Sequence, residues 1–500
     1  MTTKKEALGK LKDNIGILFV AAFILGVLTG CAHVGPDYIP PEPTTQDVWH
    51  QKLVDGLAEG KADLKTWWTV FDDPVLTSLI DRATTGNLDL KEAFARLKEA
   101  RARRGVATGE RYPDVNGKGS VSRQRVTEDY LTIITDQDRN YNSGNVGLDA
   151  TWEIDFWGRI SRSIESADAG LQASLENYRD VLVLLYAEVT LNYVQVRTLQ
   201  ARIGFAEASV KTQRRTLEIT RARLKAEISG ELDVRQAELN LANTESIIPQ
   251  LKSALVQTIN RLGVFLGELP KALHQELSDP VPIPKPPDRI LVGLPADLLR
   301  QRPDIRRAER QLAAQTARIG VAKADLYPRF SLSGAFAFEG TSDIFDSSKR
   351  SWFIAPAFRW NLFDGGRVRN RIKAEDTRTE QALVRYEQTV LAALEDMENT
   401  MTAYVQEGDR RETLHRAAIA ADESVNLVKS LYKSGLTDFQ NVFDMERSAF
   451  AQRQALAESQ GLVTQNLIRI YRAMGGGWEP QPATLEKEIE DQQIHGEPVF

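Results

Sequence analysis

Few residues in this chain could do covalent chemistry. Its 500 residues include one cysteine, so no intrachain disulfide is possible, and five histidines, at 33, 50, 274, 415 and 495, without metal-site spacing. There is no nucleophile elbow or phosphate loop, and the acid–base pairs recur along helically spaced stretches as they do on solvated faces. The pattern predicts no enzyme and no cofactor. A net charge of −6 without a basic stripe excludes nucleic acid as a partner. What remains is Cys31.

Lys4, Lys5, Lys10 and Lys12 precede the apolar run from Ile15 to Val27, and Leu28-Thr29-Gly30 lead into Cys31. A basic start and a short apolar stretch ending in small residues make residues 1–30 a secretory signal, too short for a spanning helix. The Leu-x-Gly-Cys ending resembles a bacterial lipobox, which implies cleavage before Cys31 and acylation of its thiol and new amino group. The competing reading is an uncleaved anchor with an idle cysteine; a lone cysteine directly after a signal favours acylation. Ala32 at the next position resembles lipoproteins sent to the outer membrane.

The rest of the chain is one unit written twice. Asn87 to Val115 aligns without a gap on Arg302 to Phe330, with Asp89, Tyr112 and Pro113 recurring as Asp304, Tyr327 and Pro328. Trp152, Gly158 and Arg159 recur 208 positions on as Trp360, Gly366 and Arg367, and Val234 and Glu238 as Val442 and Glu446. A period near 200 residues means duplicated halves rather than a solenoid. The expected organisation is a signal (1–30), an extended N-terminal segment (31–73), a first repeat (74–268), a proline-rich linker (269–302), a second repeat (303–474) and a loose polar tail (475–500).

Within each repeat the hydrophobic period changes twice. A helix over 74–108 gives way at Tyr112-Pro113 to strands over 113–125 and 145–156; Pro328 ends the helix begun at Pro303, and strands over 330–338 and 352–362 follow. Apolar residues then run in steps of three and four from 160 to 210, predicting a helix over 158–225 of about 100 Å at 1.5 Å per residue. A return helix over 232–262 carries Pro249, which should kink it; the second copy predicts helices over 366–433 and on to Met474. The polar stretches 126–144 and 339–350 are expected as loops.

The strands have one apolar and one polar face, with Trp152, Trp352, Phe358 and Trp360 toward their ends. A half-buried soluble sheet would alternate in the same way, but export, strand length and Asp149, Glu153 and Arg359 on the polar face favour a membrane barrel. Four strands cannot close a barrel, since the smallest have about eight, and open edges are not tolerated in lipid. Three chains would supply twelve strands and two chains eight. The 3,4-spaced seams of the long helices suggest paired coiled-coil packing.

LPADLLRQRPDIRRAE, the Tyr-Pro exits, WEIDFWGR, WNLFDGGR and Gly35-Pro36-Asp37-Tyr38 together resemble the outer membrane factor family, the TolC-like channels, in its lipoprotein branch. The resemblance covers nearly all of the mature chain. It implies a homotrimer with a twelve-stranded barrel in the outer membrane, continued by an α-helical periplasmic tunnel. It also implies a periplasmic adaptor and an inner-membrane pump, commonly of the resistance-nodulation-division type, as partners. Counted from Gly435, the residues Gln440, Asn441 and Asp444 fall on the positions at which the family constricts the periplasmic end. The tips expected to face the adaptor are Ser229-Gly230 and Gly435-Leu436-Thr437, and Glu227 stands where the second copy has Gly435. An efflux conduit for drugs or other toxic compounds is the leading expectation. Secretion or metal efflux through the same kind of channel, and a periplasmic coiled-coil scaffold, are the alternatives.

Overall fold

The computed structural model describes residues 33–42, 48–54, 56–60, 63–125, 140–340 and 350–478. Cys31, the signal segment and most of the polar tail lie outside the described residues. The chain divides into two compact units. One holds the chain up to Pro41, Leu97–Ala173 and Ala308–Tyr386; the other holds Glu42–Arg96, Ser174–Arg307 and everything from Glu387. Each unit therefore draws on both repeats.

The first unit contains a four-stranded antiparallel sheet, ordered β2 (Asp114–Arg125), β3 (Asn140–Ile154), β5 (Arg329–Gly340) and β6 (Arg350–Arg359). The register obeys the duplication: Asp114 pairs with Thr151, and their counterparts Arg329 and Arg359 also pair. β3 starts five residues earlier than the alternation predicts, taking in part of the expected loop. The exits from the helices that precede the sheet are alike. Trp152 Nε1 donates to the Arg111 carbonyl at 2.9 Å and Trp360 Nε1 to the Leu326 carbonyl at 3.0 Å, each accepting residue lying two before the proline. Both rings are exposed, and the matching bond ties each tryptophan to the exit from the preceding helix.

The second unit is helical, with a small parallel bridge between β1 (Leu57–Glu59) and β4 (Ile290–Val292). The expected helix over 74–108 is two helices, α1 (Pro74–Gly86) and α2 (Leu88–Gly109). The break has a local cause: Asn87 Oδ1 accepts from the Leu90 N–H at 2.8 Å as an N-cap, and Asn87 Nδ2 donates to the Phe265 carbonyl at 2.8 Å. The long hairpins are α3 (Arg159–Lys225) with α4 (Glu231–Phe265), and α7 (Arg367–Lys433) with α8 (Phe439–Ala473). A short α5 (Pro295–Gln301) and α6 (Pro303–Ala324) stand between them in sequence. The two long arms have 67 residues each, and α4 continues through Pro249. No described helix is long and apolar enough to cross a membrane.

The N-terminal segment is more than a polar strap. Trp67, Trp68 and Phe71 form a buried 3-10 turn, and Trp67 stacks on Tyr471 with ring centroids 5.1 Å apart. Truncating Trp67, 1% exposed, would cost about 3–5 kcal/mol. The linker is clamped by Arg197, whose guanidinium donates to the Asp279 carbonyl at 3.0 Å and to Gln200 at 2.9 Å, while Gln200 donates to the Leu277 carbonyl. The start of the tail is seated too: Arg179 lies 4.5 Å and Arg306 5.0 Å from the ring of Trp478.

Candidate functional site

The sheet is a wall that the chain leaves uncovered. One face carries Val115, Val121, Leu148, Trp152, Phe336, Trp352, Ile354 and Phe358, all exposed, with Trp352, Ile354 and Phe358 each at 68–69%. An apolar surface of that extent marks contact with lipid or protein. The opposite face carries Asn116, Lys118, Asp149, Glu153, Ser331 and Arg359, and Lys118 meets Asp149 at 2.8 Å. Gly147 lies on this polar face, where an added Cβ would come within 2.6 Å of Ala337 Cβ, so a side chain there would force β3 and β5 apart. Within one chain β2 and β6 each have an unpaired edge.

The other candidate region is the pair of hairpin tips. Each long arm ends in the same motif. Gly435 N–H donates to the Tyr432 carbonyl and Leu436 N–H to Leu431; Glu227 N–H donates to Leu224 and Ile228 N–H to Arg223. This is a Schellman end, which requires a left-handed residue, and Glu227 supplies it at φ 59° where Gly435 has φ 73°. Gly230 instead has φ −83° and ψ 163° and starts the return helix, the role that Asp438 plays in the second hairpin. The tips are cross-linked: Gln236 Nε2 donates to Gln440 Oε1 at 2.8 Å, and Arg223 lies 4.6 Å from the ring of Tyr432.

Gln440 and Asp444 share a face, with Gln440 Nε2 donating to Asp444 Oδ2 at 2.9 Å. Arg447 reaches Asp444 only at 3.9 Å, and Asn441 donates instead to Thr437 Oγ1 at 2.8 Å. Two residues beyond Asp444, Glu446 points the other way and is buried. Its carboxylate accepts from Lys429 Nζ at 2.7 Å, Thr216 Oγ1 at 2.7 Å and Asn240 Nδ2 at 3.1 Å, joining all four long helices. Sequence reasoning missed this network. Glu238, at the equivalent position of the first repeat, is half-buried at the surface between Arg221 and Arg235.

The sequence model of the outer membrane efflux protein family matches residues 79–268 and 294–476. The chain belongs to the outer membrane efflux protein family. It is 30% identical over 471 residues to nodulation protein T of Rhizobium leguminosarum bv. trifolii, covering 92% of this chain and 98% of that one. It is 29% identical over 462 residues to the cation efflux system protein CusC of Escherichia coli O6:H1, covering 90% and 97%. Among solved structures, the outer-membrane channel OprN matches with a TM-score of 0.84 at 35% identity, over 90% of this chain and all of that one. This efflux channel is therefore a passive outer-membrane conduit and not an enzyme, and the scaffold alternative falls away. It works as a homotrimer with a periplasmic adaptor and an inner-membrane pump.

The described N-terminus of the efflux channel is pinned to the first unit. Gly35 runs at φ 103° where a Cβ would meet Gly320 Cα at 2.5 Å, Arg162 binds Asp37 at 2.6 Å, and Tyr38 donates to Glu309 at 3.1 Å. Burial, followed by the charge of Glu309, pushes the Tyr38 hydroxyl well above its ordinary range. The Gly-Pro-Asp-Tyr motif is thus a seat that holds the N-terminal segment on this unit.

Proposed function

We propose that this chain is the exit duct for small toxic molecules delivered by a pump, held narrow at its periplasmic end by Gln440, Asn441 and Asp444 until the adaptor docks. The observation that carries the conduit is the uncovered sheet, apolar on one face and polar on the other, with two free edges that three chains can join into twelve strands. The polar face carries both signs of charge, Lys118 and Arg359 with Asp149 and Glu153, which suits cargo of no fixed charge. The name of CusC favours a second reading, cation efflux. Survival of a deletion strain complemented with this gene, on organic toxicants against toxic divalent cations, separates the two.

In this reading the tips meet the adaptor through Ser229, Gly230, Gly435, Leu436 and Thr437, with Ile228 added. Ile228 and Leu436 are equivalent and are 63% and 73% exposed, although the hydrophobic residue after a Schellman end commonly packs on its own helix. Cys31 carries the acyl anchor; Cys31→Ser should lose acyl labelling yet stay in the membrane fraction, since one acyl chain adds little to a barrel. For the gate, three Asp444 carboxylates around one axis would attract cations. Asp444→Ala should raise single-channel conductance and weaken block by multivalent cations, while Asp444→Glu should keep the block. Gln440→Ala should widen the opening with less effect on block. Unchanged conductance and block in Asp444→Ala would place the constriction elsewhere.

A further inference from the structure

The duplication also specifies the joint between protomers. Shifting the β3–β5 register by the repeat offsets turns it into a β6–β2 register across the seam of the closed ring. Leu148 opposite Phe336 becomes Pro356 opposite the partner subunit's Val121, and Gly144 opposite Gly340 becomes Trp352 opposite the partner subunit's Arg125. The shift is justified inside the chain, because the same offsets carry the β2–β3 pairs onto the β5–β6 pairs without error.

That seam gathers three arginines on the wrong face for a lumen. Arg123 and Arg125 follow Val115, Gly117, Gly119 and Val121 at alternate positions, so they lie on the apolar, outward face. Arg350 lies there too, because it pairs with Phe338. All three are exposed and have no ion-pair partner among the described residues. Across the seam Arg350 stands diagonal to Arg125, about 7–8 Å away. Their height is informative. Ten residues separate Val115 from Arg125 along β2, and ten separate Trp360 from Arg350 along and just past β6. At ~3.3 Å per residue and a tilt of ~40°, each climb is about 25 Å, the thickness of the apolar band of an outer-membrane barrel. The helix-proximal ends of the strands mark the periplasmic side, so Arg125 and Arg350 sit at the level where outer-leaflet headgroups carry their phosphates, with Arg123 about 5 Å below and its long side chain able to reach up to them.

We propose that Arg123 and Arg125 of one protomer, with the partner subunit's Arg350, form a seat for the phosphates of a phosphorylated glycolipid in the outer leaflet, three such seats per trimer. Guanidinium groups suit phosphate because they donate bidentately, and the aromatic and aliphatic residues beside and below them, Trp352 and Ile354 level with Arg125 and Arg123 and Val121 one pleat lower, offer the surface that acyl chains need. The seat rests on the trimeric barrel and on no assumption about gate or cargo.

The test uses the detergent-extracted trimer and a fluorescent bisphosphorylated lipid A, with the same lipid stripped of both phosphates, and phosphatidylglycerol, as competitors. Wild type should bind the bisphosphorylated lipid with salt-sensitive affinity at least tenfold above the stripped lipid. R123Q/R125Q/R350Q should lose about tenfold, R123K/R125K/R350K no more than about threefold, and all variants should keep wild-type conductance. Equal affinity for phosphorylated and stripped lipid overturns the proposal, and that arm needs no variant. Equal competition by phosphatidylglycerol overturns the glycolipid assignment. A triple Gln variant that stays trimeric and binds like wild type overturns the choice of residues.

Discussion

Removing the Glu446 carboxylate should loosen the hairpin tips from each other while leaving the sheet untouched. The carboxylate is the only anion in a buried cluster that holds Lys429, Thr216 and Asn240, and its own side chain is 4% exposed against 22% for Lys429. Deleting one partner of a buried pair strands the other charge, at about 3–5 kcal/mol. Lys429 retains some access to water, which places the expected cost near 3 kcal/mol, or roughly 100-fold in local opening at about 1.4 kcal/mol per decade. Glu446→Gln should cost nearly as much, since the amide oxygen can still accept from Lys429 and Thr216 but carries no charge to balance the ammonium, and the amide NH2 faces the Asn240 NH2. Glu446→Leu with Lys429→Met should recover at least half, because the burial penalty disappears with both charges and Thr216 keeps its bond to the Thr212 carbonyl at 3.2 Å. The assay is amide hydrogen exchange of α8 in the purified trimer. A change below about threefold in Glu446→Ala, or a double variant exchanging as fast as the single, would refute the argument.

Two further outcomes follow from the tips. Glu227→Gly should protect the first tip by about 1 kcal/mol, since a left-handed non-glycine residue costs about that much, and the equivalent change Gly435→Ala should loosen the second; limited proteolysis of each turn reads both. Burial, then the charge of Asp438, raises Asp233 above its ordinary range, so its ionisation weakens the folded tip as pH rises through and above that range. Asp233→Asn should therefore slow tip exchange at neutral pH, with the gain vanishing below about pH 4, and a gain that grew in acid would show the sign to be wrong.

The parts of the fold that depend on period were legible in the sequence. Alternation placed the four strands to within a few residues, and three-four spacing placed the long hairpins, because in both cases a continuous face must be apolar over many turns or pleats. The parts that depend on one residue meeting a distant one were not. Asn87 is a good N-cap residue by type, yet the helix pattern runs on through it, and the side chain that makes the break is also held by the Phe265 carbonyl, 178 positions away. Glu227 defied the rule that reserves left-handed helix ends for glycine, since the hairpin imposes the turn. Glu238 and Glu446 share a register, and only the neighbours supplied by packing make one a surface ion pair and the other a buried junction. The proposed gate residues come from the family resemblance by counting from Gly435, which fixes their position on the helix but not what faces them.

The central claim is that three chains close one twelve-stranded ring through β6 and β2. Pro356 cannot donate a ladder hydrogen bond, so its pairing with Leu332 must be of the non-bonded kind, and the alternation then makes Ala357 opposite the partner subunit's Ser120 a non-bonded pair on the seam, with Cα atoms about 4.5 Å apart. That spacing accepts a disulfide. Ala357→Cys with Ser120→Cys, oxidised in the membrane, should drive the protein to a covalent three-chain species on a non-reducing gel, while the single variants and the register-shifted pair Ala355→Cys with Ser120→Cys should not. A ladder ending at two chains, or cross-linking that ignores the register shift, would contradict the account.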